Sequence, residues 1–149
     1  MAFYYRYIWK NLSARFMMTA SDFFDVLIGE DLDNYVSTRF EKICEQFSIK
    51  TFKKRTNEVI LNIGRYWYND QNLKKEIEIN QCIKSNKSIY VYECKWTKHP
   101  VTSAILYDLR EKGKELNADK FGAFSKSGFD NTINKNDYDL IALDDLFEF

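Results

Sequence analysis

Proline, histidine and cysteine are scarce in this 149-residue chain: one proline (Pro100), one histidine (His99) and three cysteines. Cys44, Cys82 and Cys94 are odd in number and widely spaced, and no C-x-x-C pair occurs. With a lone histidine, a structural zinc site is not expected, and reduced thiols in a cytoplasmic protein are the simplest reading. No apolar run reaches the roughly 18 residues that a membrane-spanning helix needs. The N-terminus lacks the apolar core and small-residue cleavage site of a secretory signal. Charge of one sign is not in excess either: 22 basic residues balance 22 acidic ones. A global basic footprint of the kind that marks nucleic-acid binding is therefore missing, although a nuclease site is itself acidic. No G-x-x-x-x-G-K-[ST] loop occurs, so the chain itself is not expected to hydrolyse ATP. Internal repeats, low-complexity tracts and obvious linkers are likewise missing.

What is present argues for a folded core. Apolar residues make up 45% and aromatic residues 17% of the chain, far from the composition of disorder. Aromatics cluster at the start (Phe3, Tyr4, Tyr5, Tyr7, Trp9) and recur at helical spacing to about Asn11. A second short helix is expected over residues 22–28, with Ser21 as its N-cap. A longer one is expected over residues 31–47, with Leu32, Tyr35, Val36, Phe40, Ile43, Cys44 and Phe47 as its apolar stripe. The basic run Lys53-Lys54-Arg55 reads as a turn. Three strands rich in Ile, Val, Tyr and Trp follow over residues 59–67, 74–83 and 88–96, joined by turns at residues 69–72 and 85–87. Pro100 ends the third strand near a helix over residues 101–116, where Ala104, Ile105 and Leu109 would face the sheet. Strands over residues 120–125 and 138–143 and a terminal turn complete an α/β fold with a mixed sheet. Residues 1–30 read as an aromatic helical extension and residues 31–149 as the main domain.

The chemistry-bearing residues lie on the second and third strands. Strand side chains alternate faces, so Glu93 and Lys95 point one way and Cys94 the other. Upstream, Glu76, Glu78 and Asn80 share a face. Hydrolysis of a phosphodiester with a divalent metal needs hard oxygen ligands that leave room for water and phosphate. A nearby lysine can orient the attacking water or neutralise the phosphate. Glu78, Glu93 and Lys95 are the right residue types on adjacent strands, and Glu41, beside Phe40 on the long helix, could project toward the same edge.

These segments resemble the PD-(D/E)XK nuclease superfamily, whose core is helix, three antiparallel strands, helix, strand. More narrowly, the chain is similar to the C-terminal domain that follows the ATPase module in many archaeal-type and bacterial ATPases. The likeness covers nearly the whole chain: Phe3-Tyr4-Tyr5-Arg6-Tyr7, Arg39-Phe40-Glu41-Lys42-Ile43-Cys44, Ile63-Gly64-Arg65-Tyr66-Trp67, Glu76-Ile77-Glu78-Ile79, Glu93-Cys94-Lys95-Trp96 and Phe124-Ser125-Lys126-Ser127-Gly128-Phe129, in order. It implies a restriction-endonuclease-like fold with extra N-terminal helices. It also implies Glu78 and Glu93 as ligands of Mg or Mn, Glu41 as an accessory acid and Lys95 as the catalytic lysine, with DNA as substrate and an ATPase module, fused or separate, as partner. The family usually carries aspartate where this chain has Glu78. The extra methylene lengthens the reach, and a displacement near 1 Å can cost about a hundredfold in rate.

A second class of function fits the same residues: a catalytically silent nuclease-type fold that serves an ATPase as an interaction or DNA-docking module. Zero net charge and Glu78 favour it; the Glu93-x-Lys95 pair favours catalysis. Arg65 and Lys126 are the candidate nucleic-acid contacts. Trp67 reads as core or interface packing, His99 as incidental, Glu76 as surface and Cys94 as core. The aromatic N-terminal helix reads as packing surface that invites association, a homodimer among the forms it allows.

Overall fold

The computed structural model describes residues 1–70 and 74–148. The chain divides into two compact units, residues 1–38 and 39–149.

In the first unit, Tyr4–Ile8 forms a π-helical turn, followed by α1 (Leu12–Met17) and α2 (Ala20–Phe24). The cap of α2 is Thr19 rather than Ser21: its hydroxyl accepts the backbone N–H of Asp22 at 3.2 Å. Thr19 is extended while Ser21 is already helical, and only an extended residue can turn its oxygen onto the orphan donors of the first turn. Tyr7, Phe23 and Ile28 form this unit's core. Tyr7 also donates its hydroxyl to Asp31 at 2.7 Å, and Arg6 pairs with the same carboxylate.

A single 27-residue helix, α3, covers Glu30–Thr56. It extends nine residues beyond the expected end, so Lys53, Lys54 and Arg55 are its last turn and not a loop. No glycine or proline interrupts it. Acids at positions 30, 31 and 33 and bases at 53–55 complement the helix dipole at both ends. Thr51, which could compete with the backbone, instead returns its hydroxyl to the Phe47 carbonyl at 2.8 Å. The helix stops where Asn57 adopts a left-handed conformation at φ 58°.

The second unit is built on a five-stranded mixed sheet in the order β1 (Ile60–Asp70), β2 (Lys75–Ser85), β3 (Ile89–Lys95), β4 (Lys120–Ser125), β5 (Asp139–Ala142). The first three strands are antiparallel, and β3, β4 and β5 run parallel. The expected turn at residues 69–72 lies partly outside the described residues; Asn69 itself is paired in β1. Between β3 and β4 the chain crosses over through α4 (Ser103–Gly113). Leu109 and Leu106 are fully buried and Ile105 packs partly buried in the same cluster as Leu106, whereas Ala104 is exposed.

The two faces of the sheet are covered differently. Tyr90, Tyr92 and Cys94 of β3 pack with Phe40, Cys44, Phe47 and Phe52 of α3. Val91, between them, packs with Leu109 of α4 and Ile79 of β2. Neighbouring strand residues point to opposite faces, so α3 and α4 lie on opposite sides of the sheet.

Candidate functional site

The β1–β2 ladder contains the irregularity that shapes this site. Gly64 pairs with Cys82 but Tyr66 pairs with Ile79, so Arg65 alone opposes both Asn80 and Gln81. Two residues against one is a β-bulge, and it shifts side-chain alternation by one position. Gln81 therefore reaches the α3 side, donating to the Ser48 hydroxyl at 2.7 Å, while Ile79 packs on the α4 side. In a regular strand residues 79 and 81 would share a face.

The same shift decides where the acids go. Glu78 neighbours Ile79 and so lies on the α3 face. There Arg65 donates to Glu78 at 3.4 Å and also pairs with Glu41 of α3. On β3, Cys94 faces α3, where the Cys44 thiol and burial push its own thiol well above the ordinary range. Glu93 and Lys95 therefore lie on the α4 face. Lys95 contacts Glu93 at 2.7 Å, and the Glu93 charge also acts on Lys112 of α4. Glu93 is only 7% exposed, and Lys95 is the basic side chain in direct contact with it.

Of the residues singled out in the sequence, the structure thus brings together two separate groups. Glu41, Arg65 and Glu78 meet on one face, and Glu93 and Lys95 meet on the other. Lys126 stands apart, its ammonium 4.6 Å above the Trp96 ring, which in turn packs on Phe40. Trp67 is 64% exposed and so is not core. The residue whose role was not foreseen is Asn80. Its amide donates to Glu41 at 3.2 Å, and its carbonyl accepts the Cys94 backbone N–H at 3.1 Å. This second bond lies just past the last β2–β3 backbone pair, Gln81 with Tyr92. A polar residue at position 81 in an otherwise alternating apolar strand was the available signal for the bulge.

The resemblance implies Mg or Mn on Glu78, Glu93 and Glu41. A hard divalent ion needs several oxygen donors converging on one point. Here a sheet separates Glu78 from Glu93, and Arg65 already lies between Glu41 and Glu78. Among the described residues, no group of three or more His, Cys, Asp or Glu side chains is placed to hold a metal ion. As arranged, these residues do not fit the ion.

Comparison with known proteins identifies the chain's family and little of its chemistry. It is 32% identical over 124 residues to the uncharacterized protein MJECL04 of Methanocaldococcus jannaschii, a match that takes in 80% of this chain. The chain spans only 26% of that relative's length. Among solved structures it is similar to a protein of unknown function, AF1548, with a TM-score of 0.49 at 11% identity, over 71% of this chain and 65% of the other. It is more distantly similar to the DNA modification-dependent restriction endonuclease AspBHI, with a TM-score of 0.31 at 11% identity, over 74% and 33% of the two chains. Likenesses this shallow carry no functional argument. The family profile of archaeal and bacterial proteins of unknown function, DUF234, matches residues 4–115, and the chain belongs to that family.

Proposed function

We propose that the chain is a catalytically silent domain with a nuclease-type order of elements, serving as a docking module within a longer protein. The observation that carries this reading is the partition of the acids. Each carboxylate of the expected metal site is matched by a basic side chain on its own face of the sheet, Glu41 and Glu78 by Arg65, and Glu93 by Lys95. Charges paired in this way support the sheet without needing a cation.

The longer protein follows from the relative, in which a segment like this one is about a quarter of the whole. By the sequence resemblance, the partner is an ATPase module, fused or separate. The first unit offers a surface for it: Tyr5, Trp9, Phe16, Met17 and Val26 are all more than half exposed. Apolar patches of this kind are characteristic of interaction faces.

A metal-dependent DNA nuclease is the second reading. The specific observation in its favour is the Glu93-x-Lys95 pair, its carboxylate buried on a strand that runs parallel to β4. The two readings separate in a cleavage assay on plasmid and single-stranded DNA with magnesium or manganese. Silence from wild type, together with association of the chain with the ATPase module, supports docking. Metal-dependent cleavage that Lys95→Ala abolishes overturns docking in favour of the nuclease.

A further inference from the structure

The sheet has two unlike edges. On one side β5 is four residues long, and on the other β1 is eleven. β1 pairs with β2 along its inner side, and among the described residues no strand lies along its outer side. None of its described residues is buried, and Leu61 is 63% exposed. An open edge presents a row of unpaired N–H and C=O groups, a template for a further strand.

Bulges and prolines commonly blunt such an edge. β1 has no proline, and its one extra residue, Leu61, lies near its start, between Ile60 and Asn62. At the second irregularity the extra residue belongs to β2, so β1 itself runs regularly from Asn62 onward. Its outer backbone groups are there set for a ladder.

Two grooves flank this stretch, one on each face of the sheet. The groove on the α3 face holds about 420 Å³ and is lined by Ile49 and Lys53 of α3 with Val59, Ile60 and Ile63. The groove on the α4 face holds about 280 Å³, with Cys82 and Lys84 of β2 beside Gly64. A Cβ at Gly64 would meet nothing within 4 Å, so there is room above this backbone. Each groove carries a lysine and, among the described residues, no acid in its lining. Lys53 and Lys84 form no ion pair among the described residues. Arg65 also borders the second groove, but its guanidinium is turned to Glu41 and Glu78. In a chain of zero net charge, this edge is locally basic.

A strand laid along β1 puts alternate side chains over the two grooves. On the α3 face they meet a mostly apolar lining, and on the α4 face they meet Lys84, which lies opposite Asn62. We infer that β1 docks an extended segment of a partner protein in which apolar and acidic residues alternate, added to the sheet as a sixth strand. Its apolar side chains lie over Ile49, Ile60 and Ile63, and its acids reach Lys84. Main-chain bonds supply the affinity in this mode of recognition, and alternate side chains the specificity. Strand addition rests on the docking reading above and names the chemistry of the partner.

The test is fluorescence anisotropy of the full chain with a labelled heptapeptide of alternating glutamate and valine. Its rivals are the same residues in two blocks, alternating lysine and valine, and two N-methylated forms, one at every glutamate amide and one at every valine amide. A strand bonds to one neighbour through every second N–H, so one methylated form should lose binding and the other keep it. The block and lysine peptides should each bind about tenfold more weakly or worse. Lys84→Glu and Ile49→Asp should each lose about fivefold or more while Lys98→Glu, outside both grooves, loses nothing. All three side chains are exposed, so the variants should fold, which circular dichroism checks. The inference is overturned by no saturable binding up to about 1 mM, by a block or lysine peptide binding as tightly, by equal binding of both methylated forms, or by affinity unchanged in both groove variants. Peptide binding that falls as the chain is concentrated, with dimers in sedimentation, assigns the edge to a second copy and also overturns it. Failed titrations with ATPase-module association intact remove strand addition alone, whereas DNA cleavage that Lys95→Ala abolishes removes the docking reading.

Discussion

Glu78 and Glu93 lie on opposite faces of the sheet, one with Arg65 and Glu41 beneath α3, the other with Lys95 on the α4 side. The cause is the bulge at Asn80 and Gln81. Without it, Glu78 would share a face with Glu93, which is what regular alternation predicts.

Lys95→Ala should destabilise the fold, and more than Arg65→Ala does. Removing Lys95 leaves a carboxylate that is 7% exposed without its nearest cation. Stranding a charge in such a place costs about 1–3 kcal/mol or more. The Arg65–Glu78 contact is more open, at 42% and 52% exposed, and exposed pairs are worth about 0–1 kcal/mol; Glu41, 16% exposed, keeps the Asn80 amide as a donor when Arg65 is removed. Thermal melts of the two variants measure the difference. Equal or greater stability of Lys95→Ala would mark a lysine held for chemistry at the expense of stability.

Asn80 ties Glu41 of α3 to the backbone of β3 at Cys94, so its substitutions should differ. Asn80→Ala removes the acceptor of the Cys94 N–H and should cost about 1–3 kcal/mol. Asn80→Asp keeps an acceptor but replaces the donor to Glu41 with a second carboxylate. Its melting temperature should therefore recover as pH falls and the acids protonate, whereas that of Asn80→Ala should not. Identical pH profiles for the two variants would count against the bridging role.

Gly122→Ala should prevent normal folding of the β4–β5 region. A Cβ there would collide with the Asp139 carbonyl oxygen and stand 2.5 Å from the Tyr92 ring. One contact is backbone and the other a fully buried ring, so neither can yield cheaply. Denaturant unfolding should show a loss of several kcal/mol, about the upper range for single core substitutions. By contrast, Gly64→Ala meets no atom within 4 Å and serves as the control.

Alkaline pH should weaken the fold through its buried tyrosines. Burial, together with the Glu58 carboxylate, pushes Tyr90 up to about 12, and burial beside Asp139 pushes Tyr92 well above its ordinary value. A tyrosine exposed by unfolding ionises near 10. Above that pH the unfolded chain releases protons that the folded one retains, so stability is whole below about 10 and falls as pH rises through 12. Denaturant midpoints across this window should fall more steeply in wild type than in Tyr90→Phe.

The sequence showed the element order well because it rests on local signals. Runs of Ile, Val, Tyr and Trp mark β1 to β3, and the apolar spacing of Phe40, Cys44 and Phe47 marks the buried face of α3. Those signals could not show the end of α3, where the basic last turn Lys53, Lys54 and Arg55 complements the helix dipole. Nor could residue types alone give the site's geometry. Glu78, Glu93 and Lys95 stand where the motif expects them, but a single extra residue in a ladder decides which face each one occupies. That residue is a pairing property of β1 with β2, set by contacts distant in sequence.

The most direct test of the separation between Glu78 and Glu93 is a calorimetric titration of manganese into the chain, with Glu78→Gln and Glu93→Gln in parallel. Two carboxylates on opposite faces cannot share one ion, so wild type should show no saturable site that both substitutions remove. A one-site isotherm abolished by Glu78→Gln and by Glu93→Gln alike would contradict it, and would place the two acids around a single metal.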